Sequence, residues 1–310
     1  MIHAPQKILV FGKNGQVGYE LFCLFHDNYN GLTPEDAVFL GRDGVDLSDT
    51  DALLKALEDH APTAIINAAA YTAVDKAESE EALCMAVNAM APEVMAEYAQ
   101  DHKIPFIHIS TDYVFDGTKT APYTESDAPC PVNIYGKSKY EGEQAILKTT
   151  APAVILRTSW VYAAKGQNFV HTMLRLGQER DTMGIVNDQI GAPTNAKDIA
   201  RGILDILPQI KPDSGPELYH MCAQGAGSWY DFAQLIFEEA KERGLTTPSS
   251  VTPIASSAYP TPAQRPLNSR MDCSALTKFY GVTLPDWQDS ARACLAEILN
   301  NTDSKKAIAS

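Results

Sequence analysis

A chain of 310 residues, 45% hydrophobic and 21% charged, has the balance of a soluble globular protein and can hold one large domain or two modest ones. Its formal charge of −14 argues against general nucleic-acid binding, which needs basic surface, and no apolar run has the length of a membrane-spanning helix. Six scattered cysteines (Cys23, Cys84, Cys130, Cys222, Cys273, Cys294) form no Cys-x-x-Cys and no Cys/His metal site, and Met1 to Lys7 lacks a signal-peptide core, so a cytoplasmic protein with free thiols is expected.

The first half alternates two patterns. Lys7–Phe11, Ala37–Leu40, Ala64–Asn67, Pro105–Ile109 and Ala153–Arg157 are short apolar runs that predict strands. Between them, Gln16–Phe25, Thr50–His60, Glu78–Gln100 and Tyr135–Lys148 carry helical periodicity, with a break or a helix start at Pro92. Such alternation predicts an α/β fold, a Rossmann-like doubly wound parallel sheet with helices on both faces. After Ser159 the pattern changes. Helices are expected at Gln167–Gln178, Asn195–Leu207, Trp229–Arg243 and Asp286–Asn300, with a loop over the Pro-rich stretch Pro248–Pro266. The expected division is a dinucleotide-binding domain over 1–160, to which 180–210 returns. A smaller, interleaved substrate-binding region covers most of 161–300, and 301–310 forms a flexible tail.

Directly after the first strand comes Gly12-Lys-Asn-Gly15-Gln16-Val17-Gly18. Glycines here allow a tight turn and close approach of a pyrophosphate to backbone N–H groups at a helix N-terminus. The second strand ends in Leu40-Gly41-Arg42-Asp43. An Arg at this place welcomes a 2′-phosphate, so NADPH is favoured, while Asp43 leaves NADH open. Asp46 and Leu47 are expected near the adenine, and the small residues of Asn67-Ala-Ala69-Ala70 would let a coenzyme lie against backbone.

Ser110-Thr111 closes the fourth strand, and Tyr135 and Lys139 follow on a helix at i, i+4, hence on one face. An ammonium one turn from a phenol stabilises the phenolate and is expected to lower the Tyr pKa toward neutrality. With 13 tyrosines in the chain, chance supplies such a spacing about as often as not. The glycine turn and Thr111 are what make it a candidate proton-transfer site.

Together these residues resemble the extended short-chain dehydrogenase/reductase family, and within it the dTDP-4-dehydrorhamnose reductase branch. The matching strings are Asn67-Ala-Ala-Ala-Tyr-Thr-Ala-Val-Asp-Lys-Ala-Glu78, Ser110-Thr-Asp-Tyr-Val-Phe-Asp-Gly117, Asn187-Asp-Gln-Ile-Gly-Ala-Pro-Thr194 and Arg265-Pro-Leu-Asn-Ser269. The resemblance implies hydride transfer from NAD(P)H to C4 of dTDP-4-dehydro-6-deoxy-L-hexose, giving dTDP-L-rhamnose. It implies Tyr135 as acid, Lys139 as its modulator and ribose ligand, and Thr111 as the group orienting the sugar oxygen. Gly15, Gln16, Val17, Ala70, Tyr71 and Thr72 match coenzyme contacts; Asp112 and Trp160 match positions that touch the sugar nucleotide. Arg265 is expected on the diphosphate or in a lid.

Some relatives hold magnesium at a homodimer interface. Here Glu20 persists but Lys197 interrupts one ligand stretch, so no metal site is assigned. A sugar-nucleotide 4,6-dehydratase needs an Asp-Glu pair after the Thr, and Tyr113 stands in place of that Glu. A reductase or epimerase for another nucleotide 4-keto sugar remains open. So does a non-catalytic, dinucleotide-binding regulatory subunit, which would have no need of Thr111, Tyr135 and Lys139 together.

Overall fold

The computed structural model describes residues 7–300, and the expected tail over 301–310 lies outside them. Six parallel strands form the central sheet: β1 (Ile8–Phe11), β2 (Ala37–Leu40), β3 (Ala64–Asn67), β4 (Phe106–Thr111), β5 (Ala153–Thr158) and β6 (Glu217–His220). Their order is β2-β1-β3-β4-β5-β6. β1 and β5 are buried along their whole length, which is why they read as unbroken apolar runs and not as alternating ones. The chain leaves β1 for β2 on one side and continues to β3 on the other. A crevice for a ligand therefore opens beyond the carboxyl ends of β1 and β3.

Helix α1 (Gln16–His26) covers one face of the sheet, and α2 (Thr50–His60) and α3 (Ala91–His102) cover the other, joined there by α4 (Ile134–Leu147). Beyond the sheet, α5 (Phe169–Glu179), α6 (Ala196–Ile206), α7 (Trp229–Glu242) and α8 (Trp287–Asn300) follow. Helix α6 packs on α1 through Ile199, Ile203 and Leu204, whereas α5, α7 and α8 build a second core around Tyr162 and Phe232. No helix among the described residues is long and apolar enough to cross a membrane, and all six cysteines are free.

One local expectation is corrected and one element was missed. Pro248–Pro266 is not all loop: Ser250–Ile254 pairs in parallel with Thr182–Val186, and Pro253 is tolerated because the ribbon has only two strands. Strand β6 was not foreseen, since Glu217-Leu-Tyr-His is short and gains its order from β5 alone. Pro92 stands in the first turn of α3, the helix start that was one of the two outcomes expected for it. Glu81–Met85, a π-helical turn at Ala86–Met90 and α3 run on as one piece. Pro92 has no N–H for the carbonyl of Asn88, and the wider turn accommodates it.

Helix α4 is pinned to the sheet by a buried ion pair. Arg157 Nε and Nη2 donate to Glu143 Oε1 and Oε2 at 2.8 and 2.6 Å, and Ser110 Oγ donates to Oε1 at 2.5 Å. The Arg157 and Glu143 side chains are 3% and 0% exposed. Glu143→Ala strands a buried guanidinium and is expected to destabilise the fold by about 3–5 kcal/mol in denaturant unfolding. A loss under about 1 kcal/mol, the worth of an exposed pair, would show that the pair does not hold the helix.

Candidate active site

The glycine turn is shaped by close approach. Gly12 has φ +96°, and a Cβ there would lie 2.7 Å from the Ala68 backbone; a Cβ on Gly18 would lie 2.0 Å from the Gly12 carbonyl oxygen. Gly15 caps α1 with no side-chain hydrogen bond to its first turn, and its own N–H donates to Gly12 O at 2.9 Å. The turn thus presents the helix N-terminus to the crevice, the place where a dinucleotide's pyrophosphate fits. The Val17 side chain faces the core, so only its backbone is available there, and Gln16 is held by Val161 O and Asn168. Arg42 and Lys13 are exposed at the rim.

Strand β4 and helix α4 bring the three expected catalytic residues together. Thr111 ends the strand, donating to Asp112 Oδ1 at 3.0 Å and accepting from Tyr113 N at 3.2 Å. Asn133 caps α4 by accepting from Gly136 N at 2.8 Å, which starts the helix just before Tyr135. Lys139 is 1% exposed; its Nζ donates to Ile109 O at 2.6 Å and lies 3.1 Å from His108 Nε2. Burial pulls Lys139 down to about 8, against Glu143 and Cys84, which raise it. Burial pushes Tyr135 above its ordinary range, and the Thr111 hydroxyl beside it pulls the other way. Burial thus outweighs the lowering expected from Lys139, whose N–H is directed at backbone.

Asp112 is 2% exposed and burial pushes its carboxyl up to about 6. Its Oδ2, and Oγ1 of Thr158 on the neighbouring strand, are buried without a hydrogen-bond partner. Polar atoms in that state fit the hydroxyls of a sugar.

The remaining expected residues fall into two groups. Ala69 N donates to Asn67 Oδ1, and Tyr71 is clamped through its backbone N and O by Asn88. These residues and exposed Thr72 line the way from β3 to α4. Asp46 is exposed and accepts from Ser48 N and Oγ through Oδ1, whereas the Leu47 side chain is packed in the core among Leu53 and Leu57. Arg265 is paired with Asp75 at 3.0 Å and donates to the Tyr113 hydroxyl at 3.3 Å. Tyr113 in turn meets Tyr135 edge-on at 5.5 Å. Trp160, in the left-handed region at φ +48°, stacks on Trp229 at 3.7 Å.

The family model for the RmlD substrate binding domain matches residues 6–300. The chain belongs to the RmlD substrate binding domain family. It is 43% identical over 302 residues to the dTDP-4-dehydrorhamnose reductase of Burkholderia thailandensis, covering 95% of this chain and 99% of that protein. The enzyme of the same name from Escherichia coli K12 is 41% identical over 301 residues, covering 96% and 99%. Among solved structures, a dTDP-4-dehydrorhamnose reductase of Bacillus anthracis in complex with NADP superposes with a TM-score of 0.85 at 33% identity, covering 95% and 100%.

Within this RmlD-type fold, four site neighbours were missed by the sequence reading: His108, Asn88, Trp229 and the partner of Arg265, Asp75. His108 lies inside an apolar strand, and Asn88 is spaced like any helix residue, so neither carried a local signal. Among the described residues no group of three His, Cys, Asp or Glu could hold a metal; Lys197 instead pairs with Glu297 at 3.4 Å. Gly18→Ala drives a methyl into the Gly12 carbonyl and is expected to weaken binding of a nicotinamide coenzyme at least about tenfold (1.4 kcal/mol) by calorimetry. Gly15→Ala, whose Cβ would stand 3.3 Å from that oxygen, should lose less.

Proposed function

We propose that this chain is an NAD(P)H-dependent reductase of the C4 ketone of dTDP-4-dehydro-6-deoxy-L-hexose, forming dTDP-L-rhamnose for polysaccharide biosynthesis in the cytoplasm. One observation carries the reading: half-buried Tyr135, buried Lys139 and the Thr111–Asp112 pair converge at the carboxyl end of β4, with a glycine turn fit for a dinucleotide at the same edge of the sheet. The full-length likeness to reductases of that name supports it.

The coenzyme supplies a hydride to the carbonyl carbon. Tyr135 gives its proton to the oxygen as negative charge develops there, and its high pKa keeps that proton in place until then. Thr111, already oriented by Asp112 and Tyr113 N, turns its hydroxyl to the same oxygen. Lys139 holds the coenzyme's ribose and stabilises the phenolate left on Tyr135. Asp112 and Thr158 take sugar hydroxyls, the Trp160–Trp229 stack forms a wall, and Arg265 helps bind the diphosphate. Residues 1–160 hold the coenzyme, joined by 180–210, and the later region holds the substrate. Arg42, with Lys13, selects NADPH by its 2′-phosphate.

The test is NADPH oxidation with the 4-keto sugar nucleotide, and NMR of the product. No turnover with either coenzyme would overturn the reading and favour the regulatory-subunit alternative; turnover confined to another 4-keto sugar would move the substrate. Tyr135→Phe is expected to lower kcat by about 10²–10⁴-fold with coenzyme binding retained; a near-normal kcat removes it from the acid role. Arg42→Ala should weaken NADPH far more than NADH, and an equal loss for both would refute the 2′-phosphate assignment.

A further inference from the structure

Behind Lys139 runs a buried chain of hydrogen bonds whose directions can be worked out. Ala69 N donates to Asn67 Oδ1 at 3.1 Å, which fixes the orientation of the Asn67 amide. Asn67 Nδ2 then faces His108 Nδ1 at 3.1 Å. An amide N–H₂ only donates, so Nδ1 accepts and the proton of the neutral ring sits on Nε2. That Nε2–H points at Lys139 Nζ, 3.1 Å away. An ammonium has three donors and no lone pair, whereas an amine has one lone pair to receive the His108 proton and still donates to Ile109 O.

We propose that Asn67 and His108 are positioning residues that bias Lys139 toward the amine in the free protein, and that protonating Lys139 requires the Asn67–His108 chain to reverse its direction. Asn67 and His108 are each 0% exposed, so water cannot relieve the conflict. Burial alone drives His108 below its ordinary pKa, which keeps the ring neutral while Lys139 is an amine. The other groups facing Lys139 are Glu143, Cys84 and Tyr135. Glu143 spends both oxygens on Arg157 and Ser110, Cys84 stays a thiol because burial raises it, and Tyr135 stays a phenol. Reversal would turn the Asn67 amide and release Ala69 N, in the segment beside the coenzyme site. Loading the coenzyme and charging Lys139 are then one linked event. The proposal rests on the reading of Lys139 as the ammonium that serves Tyr135, but its first test does not.

That test is a long-range ¹H–¹⁵N spectrum of the free, full-length protein with ¹⁵N-labelled histidine, the His108 signals being those lost in His108→Gln. The expected result is a neutral ring protonated at Nε2 at about pH 9, above the Lys139 ionisation near 8; a ring protonated at Nδ1 there, or an imidazolium, overturns the proposal. The second is kinetic. Asn67→Asp places an acceptor against Nδ1 and forces the opposite tautomer, and Gln at 108 can offer its carbonyl oxygen to an ammonium. Both variants should move the alkaline limb of kcat/KM upward by about one pH unit, tenfold in the ionisation constant. A lower kcat with the limb unmoved in both means that His108 only packs. If the wild type fails to reduce the 4-keto sugar, the functional reading falls while the spectrum still decides the tautomer.

Discussion

A carboxylate shut away from water fixes the geometry of this site. Glu143 stands one turn beyond Lys139, which stands one turn beyond Tyr135, so the three share a face of α4. A lone buried carboxylate would be prohibitive, but here Arg157 from β5 and Ser110 from β4 occupy its lone pairs. The clasp therefore sets the helix against the two strands whose ends carry Thr111 and Thr158. It also explains the state of Lys139. With Glu143 committed to Arg157, the ammonium has no free counter-ion, and burial decides its pKa.

The clasp can close only because backbone approaches backbone. A Cβ at Gly136 would lie 2.1 Å from Tyr113 O, and one at Gly142 would lie 2.2 Å from Asn88 O. The second contact depends on the π-helical turn beneath Pro92. That turn also aims the Asn88 side chain, which spans Tyr71 on the coenzyme side and Ser138 on α4. The irregular helix and the two glycines thus act together to place Tyr135 over the crevice.

Much of this could be read in the chain. Strands buried on both faces announce themselves by composition, and helices by period, so the order of β1 to β5 and the helices between them followed from local pattern. The turn at Gly12–Gly18 and the Tyr135–Lys139 spacing are local too. What escaped was non-local. Strand β6 owes its order to β5, the Ser250–Ile254 ribbon to Thr182–Val186, and His108 its meaning to Asn67 and Lys139, 41 residues before it and 31 after it. The pKa of Tyr135 escaped for a related reason. Helical spacing tells that a lysine is near, but desolvation depends on what covers the phenol, and that comes from the whole fold.

The net charge of −14 and an anionic ligand are compatible because potential is local. At physiological salt, charges farther than about 8 Å across solvent are largely screened. On the proposed function, a pyrophosphate would meet the N-terminus of α1 with exposed Arg42 and Lys13 nearby, whatever the far surface carries. The same argument bears on the opposite wall. Arg265 keeps one arm on Asp75 and the other on Tyr113, so its charge is partly spent before any ligand arrives. An anion drawing it inward has to compete with Asp75, and it pulls on the ring that leans against Tyr135. On the proposed roles, occupancy of that wall would reach Tyr135 through Tyr113.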